Sequence, residues 1–248
     1  MSENYAFAPS PQLYHFAMTQ RPMHDTSRRY VLGVGLMLGA AALASLASAE
    51  EFVLRGDDGQ SVQSIRIPPE LSPNNLPGIV WVGPERADAT LIEFFDYNCP
   101  WCRKAMTDID ALLKKDKALR LGLVNYAVFG IGSVQAAKVQ QAVLKLYGPE
   151  KAYAYHQAMF SRRGKNDGES ALATVASLGL DVAKVTDAAD GEDVTRVLTQ
   201  QAKLAEALGF NATPSFAMNG TGFLGYPGPR AIAGMVSAVK RCEKIACG

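Results

Sequence analysis

Thr90-Leu91-Ile92-Glu93-Phe94-Phe95-Asp96-Tyr97-Asn98-Cys99-Pro100-Trp101-Cys102 joins a nearly continuous apolar run to two cysteines separated by two residues. An apolar run of this length suits a central strand buried on both faces. Pro100 fits the first turn of a helix, where its missing N–H removes no hydrogen bond. That places Cys99 at the helix N-cap, with free backbone N–H groups and the positive end of the helix dipole directed at its sulfur. Both favour the thiolate, which is the attacking species in disulfide exchange. Cys102 lies one turn into the helix, within reach of Cys99, where it can close a disulfide or resolve a mixed one. Trp101 between them is expected to be an exposed aromatic beside the sulfur, available to a substrate.

Working outward, Gly78 to Val82 is a short strand candidate. After the cysteines, Met106, Ile109, Leu112 and Leu113 recur at helical spacing, and Leu119, Leu121 and Leu123 alternate as in a strand. Strand, helix and strand in this order form a βαβ unit. The stretch from about 130 to 209 reads as helical. Val139, Ala142, Val143 and Leu146 mark one apolar face, and Val194, Val197, Leu198, Ala205 and Leu208 mark another. Gly148-Pro149, Gly164 and Gly168 break it into shorter helices. Pro214 to Met218 and Gly222 to Tyr226 then flank Asn219-Gly220, a hairpin signal. Pro229 opens a last helix with Ile232, Met235, Val236 and Val239 on one side. The order predicts a single α/β domain carrying a helical insertion. Residues 50–77, with four prolines, read as an extended lead-in.

The chain has 248 residues and a formal charge of +1. Ser27-Arg28-Arg29-Tyr30-Val31-Leu32 leads into an apolar run that ends in Ala47-Ser48-Ala49. A basic head, an apolar middle and a small-x-small end are the parts of a cleavable export signal over residues 1–49. The paired arginines resemble a twin-arginine signal, although Val31 and Gly33 depart from its usual residues. Val31 to Leu46 is shorter than the roughly 20 residues a spanning helix needs. The leader carries Arg21, Arg28 and Arg29 against Glu3 and Asp25, so the chain beyond it is formally neutral. Neutrality gives no electrostatic footprint for nucleic acid. It equally argues against polybasic attachment to a membrane. All four cysteines follow the leader, as two close pairs, and paired cysteines outside the cytoplasm are expected to oxidise.

The segment Phe94 to Cys102 resembles the active-site segment of DsbA-like proteins of the thioredoxin superfamily. The helical insertion before Ala212-Thr213-Pro214-Ser215-Phe216 resembles that family's layout. The resemblance covers about residues 78–241. It implies a thioredoxin-like fold with an inserted helical subdomain, in a domain spanning 78–248. It implies a catalytic redox pair, Cys99 and Cys102, and a cis-Pro214 facing the sulfurs, with Thr213 offering its backbone to a substrate peptide. An ordinary trans proline opening an edge strand is the alternative. Glu93 corresponds to a buried Glu of the family, but Leu121-Gly122-Leu123-Val124-Asn125 lacks the Lys that pairs with it. An unpaired buried carboxylate has its pKa raised. Glu93 is then a candidate proton relay for Cys102, or a Glu without a catalytic role. Thr213 stands where strong oxidants of the family often carry Val.

Cys242 and Cys247 are too far apart along an unbroken helix, roughly 7.5 Å of rise, for a comfortable disulfide. A bridge requires the last helix to stop near Glu243 or Lys244. A structural disulfide is the favoured reading, and a shuttle pair serving Cys99 and Cys102 the alternative. A binding module, a periplasmic metal-handling or chaperone protein using the four cysteines as ligands, competes with the redox reading, but structural C-x-x-C turns rarely contain Pro-Trp. His156, the only histidine after the leader, falls in a helical pattern as a packing or surface residue. The expectation is a monomeric periplasmic protein disulfide oxidoreductase with no separate cofactor. Its partners would be folding exported proteins and a redox partner that resets the cysteines. Net oxidation is slightly favoured over isomerisation or reduction.

Overall fold

The computed structural model describes residues 53–247. The segment read as an export signal, with Arg28, Arg29 and Ala47 to Ala49, lies outside the described residues. Six strands form one sheet: β1 (Ser64–Arg66), β2 (Val80–Val82), β3 (Ala89–Phe95), β4 (Leu119–Asn125), β5 (Ser215–Met218) and β6 (Thr221–Leu224). Their order across the sheet is β1-β6-β5-β3-β4-β2. Only β3 and β4 are parallel, because they are joined through the crossover helix α1 (Pro100–Lys115). The sequence pattern anticipates β3 at the centre: five consecutive residues from Leu91 to Phe95 are buried. Its alternate side chains serve two cores. Leu91 and Phe95 pack with Ile109 of α1, and Ile92 and Phe94 pack with Val124 and Phe210 on the other face.

Between β4 and β5 the chain is helical: α2 (Ile131–Ser161), α3 (Gly168–Ser177), α4 (Val182–Ala189) and α5 (Glu192–Ala207). The long α2 is two helices joined at Gly148, whose φ of 81° is left-handed, with Pro149 opening the second. Asp167 caps α3 in a capping box with Ser170, and Asp181 caps α4. The β5–β6 hairpin turns at Asn219-Gly220, both at positive φ, as a tight hairpin turn requires. Strand β6 ends at Leu224, two residues before the end read from the sequence. The last helix, α6 (Pro229–Cys242), buries Ile232, Met235, Val236 and Val239.

The stretch read as an extended lead-in supplies more than a connection. It contributes the edge strand β1, antiparallel to β6, and two single-turn 3₁₀ helices at Pro69–Leu71 and Pro73–Asn75. It also reaches α6. The Asp57 carboxylate accepts hydrogen bonds from the N–H groups of Arg230 (3.0 Å) and Ala231 (2.7 Å), two donors the first helical turn leaves free.

Candidate active site

Strand β3 delivers the chain to its carboxyl end, and an Asp96-centred turn sets the start of α1. The Asn98 N–H donates to Asp96 Oδ1 at 2.6 Å and the Cys99 N–H to the Asp96 carbonyl at 3.1 Å. Cys99 follows as the N-cap of α1 in extended conformation, with Pro100 in the first turn. Its Sγ accepts from the Cys102 N–H at 3.3 Å, where a capping side chain normally supplies oxygen. Both cysteines are free thiols and buried, and Trp101 between them is 58 % exposed. Cys99 nevertheless borders a groove open to solvent. The Thr213–Pro214 bond is cis, and the Thr213 carbonyl lies 3.1 Å from Cys99 Sγ, accepting from it while Cys99 is a thiol. The structure thus brings Cys99, Cys102, Thr213 and Pro214 to one point, with Trp101 at its solvent edge.

The two thiols are strongly unequal. The largest influence on Cys99 is the Cys102 thiol, which stabilises its ionised sulfur by hydrogen bonding. Despite partial burial, that bond and the backbone N–H groups of Cys102 and Trp101 bring the Cys99 pKa down to about 6. Cys102 is pushed far the other way, first by burial and then by its bond to Cys99 and the nearby Glu93 carboxylate. At neutral pH the site therefore holds one thiolate, on Cys99.

Glu93 lies beneath them, 1 % exposed. It faces Leu123 on β4 and Phe216 on β5, so neither flanking strand brings it a cation. Neither carboxylate oxygen has a hydrogen-bond partner among the described residues. Burial, reinforced by negative charge on Cys99, raises its pKa to about 8. His156 is also buried, with Phe95, Tyr97 and Phe160 packed around its ring. Burial lowers its pKa to about 3 and keeps it neutral, a packing residue. At the far end of the molecule, Cys242 and Cys247 form a disulfide. Helix α6 stops at Cys242 and Glu243 turns left-handed with φ of 58°, the stop that a bridge at this spacing needs.

A polar hub beside Cys99 escaped the sequence analysis. The Asp96 carboxylate is buried and accepts four hydrogen bonds: from the N–H groups of Asn98, Val128 and Phe129, and from the Ser133 hydroxyl. Asn98 donates to the Asn166 carbonyl (2.8 Å) and accepts from its N–H (2.7 Å), while the Asn166 amide donates to the Tyr97 carbonyl (2.7 Å). Three loops are joined in this way: the one carrying Cys99, the one after β4 and the one after α2. The Asp-x-Asn spacing hints at a local turn. Nothing in the sequence links it to Ser133 or Asn166.

A family model described as thioredoxin matches residues 75–240. The chain belongs to the thioredoxin family. Among solved structures, this thioredoxin-family chain is similar to a thioredoxin-like oxidoreductase from Silicibacter pomeroyi DSS-3. The two are 32 % identical with a TM-score of 0.61, over 67 % of this chain and 93 % of the other. It is also similar to the thiol-disulfide exchange protein alpha-DsbA2 from Wolbachia pipientis, at 25 % identity and a TM-score of 0.60, over 64 % of this chain and 86 % of that one. Among curated proteins it is 28 % identical over 151 residues to disulfide bond formation protein D of Bacillus subtilis (strain 168). That match covers 56 % of this chain and 66 % of the relative. The chain spans less than two thirds of the length of the curated relatives it matches. The thioredoxin-like, DsbA-like fold expected from the sequence agrees with these neighbours.

Proposed function

We propose that this protein is a thiol:disulfide oxidoreductase acting on exported proteins through Cys99 and Cys102. The observation that carries the reading is the inequality of the two thiols: a Cys99 thiolate at a helix N-cap beside a buried, protonated Cys102. In the oxidising direction, a substrate thiolate attacks Cys99 Sγ of the Cys99–Cys102 disulfide. A substrate–Cys99 bond forms as the bond to Cys102 breaks, and Cys102 leaves with the electron pair and takes up a proton. A second substrate thiolate then attacks the substrate sulfur of the mixed disulfide and Cys99 leaves as a thiolate. Two electrons pass from the substrate dithiol to the site, and a disulfide-bearing partner must remove them for turnover. Glu93, its pKa raised to about 8, is a candidate to hand Cys102 its proton. Thr213 and Pro214 would contact the substrate backbone, and Trp101 its side chains.

The leader read over residues 1–49 supports a periplasmic location, and the printed names of the relatives support thiol–disulfide chemistry. The disulfide between Cys242 and Cys247 leaves neither sulfur free to complete a four-cysteine metal site, which weakens the metal-binding alternative. Isomerase or reductase is the second reading: Thr213 stands where strong oxidants of the family often carry Val, and its buried hydroxyl, unpartnered in the described residues, is a polar group that bears on the redox balance of the sulfurs. An equilibrium titration of Cys99/Cys102 against glutathione tests direction. A potential near the strong oxidants, roughly −120 mV, supports disulfide donation, and one near −270 mV supports reduction. Oxidation of a reduced, unfolded protein by Cys99→Ala at the wild-type rate would sink the exchange reading altogether.

A further inference from the structure

The solvent-open groove beside Cys99 has a volume of about 670 Å³. Its walls include Asn98, Cys99, Arg103, Arg162, Arg163 and Lys165, and no Asp or Glu. Four cations around one mouth stand out in a chain whose formal charge is +1. Elsewhere lysines pair with acids, as Lys104 with Asp108 and Lys145 with Asp193. Among the described residues Arg162, Arg163 and Lys165 enter no ion pair. Asp167 is the acid nearest in sequence; its carboxylate caps α3 through the Ser170 N–H and, although it feels the charges of Lys165 and Arg162, it makes no ion pair with them and does not line the groove.

This basic loop is held in place against the site. Arg103, from the first turns of α1, donates to the carbonyls of Phe160 and Arg162. Asn98, the neighbour of Cys99, exchanges two hydrogen bonds with the backbone of Asn166. The loop backbone is therefore held beside the reacting sulfur, and its exposed cationic side chains reach out from there. Exposed apolar residues, Phe129 and Trp101, lie beside the same site.

We propose that the groove receives an acidic segment of polypeptide flanking the substrate cysteine. The inference rests on the exchange reading above and names the substrate class of that site. The cations hold the flanking carboxylates and favour the thiolate of the incoming cysteine, the species that attacks Cys99. Phe129 and Trp101 offer surface to the rest of the segment, which a small inorganic anion would not use.

The test uses three peptides that share one cysteine pair and differ only in flanking Glu, Gln or Lys. Each is mixed with the oxidised protein, and disulfide transfer is followed by acid quench and alkylation. Rates are divided by each peptide's rate with a small-molecule disulfide, which removes the effect of the flanks on its own thiol. At low salt the Glu peptide should react about ten-fold faster than the Lys peptide. The ratio should fall toward unity near 0.5 M salt, where screening is nearly complete. The double charge reversal Arg162→Glu with Arg163→Glu leaves two cations against two anions around the groove and should bring the three normalised rates together. Equal normalised rates for the three peptides in the wild-type protein, or an order unchanged by the double variant, overturn the inference. If that variant does not fold, a salt-independent ratio in the wild-type protein overturns it. Failure to react with any peptide strikes the exchange reading instead.

Discussion

Glu93 on β3 stands directly opposite Leu123 on β4, a hydrocarbon neighbour for a fully buried carboxyl group. Its folded-state pKa, about 8, lies above the ordinary value of 4.5. Between these values the native state holds a proton that the unfolded chain releases. Stability is therefore lost as pH rises through the window, and the loss is complete above about pH 8. Glu93→Gln removes the titration. The variant should gain on the order of 4 kcal/mol over wild type between pH 5 and pH 9. Denaturant unfolding of the reduced proteins at both pH values measures this, and a pH-independent difference would rule it out.

The Cys99 thiolate depends first on the Cys102 thiol. Ultraviolet titration of the reduced protein should show a midpoint near pH 6. Cys102→Ala removes the donor and should raise that midpoint, while Cys102→Ser keeps a hydroxyl donor and should raise it less. Identical midpoints in all three proteins would contradict the assignment of cause.

Asp96 should be a large contributor to stability although it touches neither sulfur through its carboxylate. Asp96→Ala leaves three loop N–H groups and a hydroxyl without their acceptor and should cost about 2–4 kcal/mol. Chemical denaturation reads the loss. Hydrogen exchange should show new opening at Asn98, Val128 and Phe129 ahead of the sheet. A loss under half a kcal/mol would show that water replaces the carboxylate without penalty.

The Cys242–Cys247 bridge closes a short loop at the end of α6. Replacing both cysteines by Ser should cost about 2 kcal/mol or less in the chain-entropy account. Peptide disulfide transfer by Cys99 should keep its wild-type rate. Alkylation mapping during turnover should label only Cys99 and Cys102. Labelling of Cys242 and Cys247 in step with them would make the second pair a shuttle.

What the sequence discloses and what it hides divide along the distance between partners. The Leu91–Phe95 run, the proline after Cys99 and the Asn-Gly turn act within a few residues, so their patterns are legible. Even the absent cation of Glu93 is readable, because β4 follows β3 through one crossover helix. Asn166 and Ser133 carry no such mark. Their partners Tyr97, Asn98 and Asp96 belong to another part of the chain and meet them only once the helical block packs against the sheet. Strand β1 is hidden for a different reason. It has three residues, Ser-Ile-Arg, with only the middle one partly covered, too short to show a period.

The reach of Asp57 across to α6 has a consequence for the order in which the chain assembles. Residues 57 to 66 meet their partners at 221 to 231, at the opposite end of the domain. A chain that emerges amino end first, from a ribosome or a membrane channel, presents this segment early and completes its docking surface last. The segment has to wait unpaired until β6 and the start of α6 arrive, and its docking then works as a clasp on a nearly finished domain. A fragment cut to the family match at 75–240 would lack the clasp. It would expose the β6 edge and leave the first turn of α6 without its carboxylate cap.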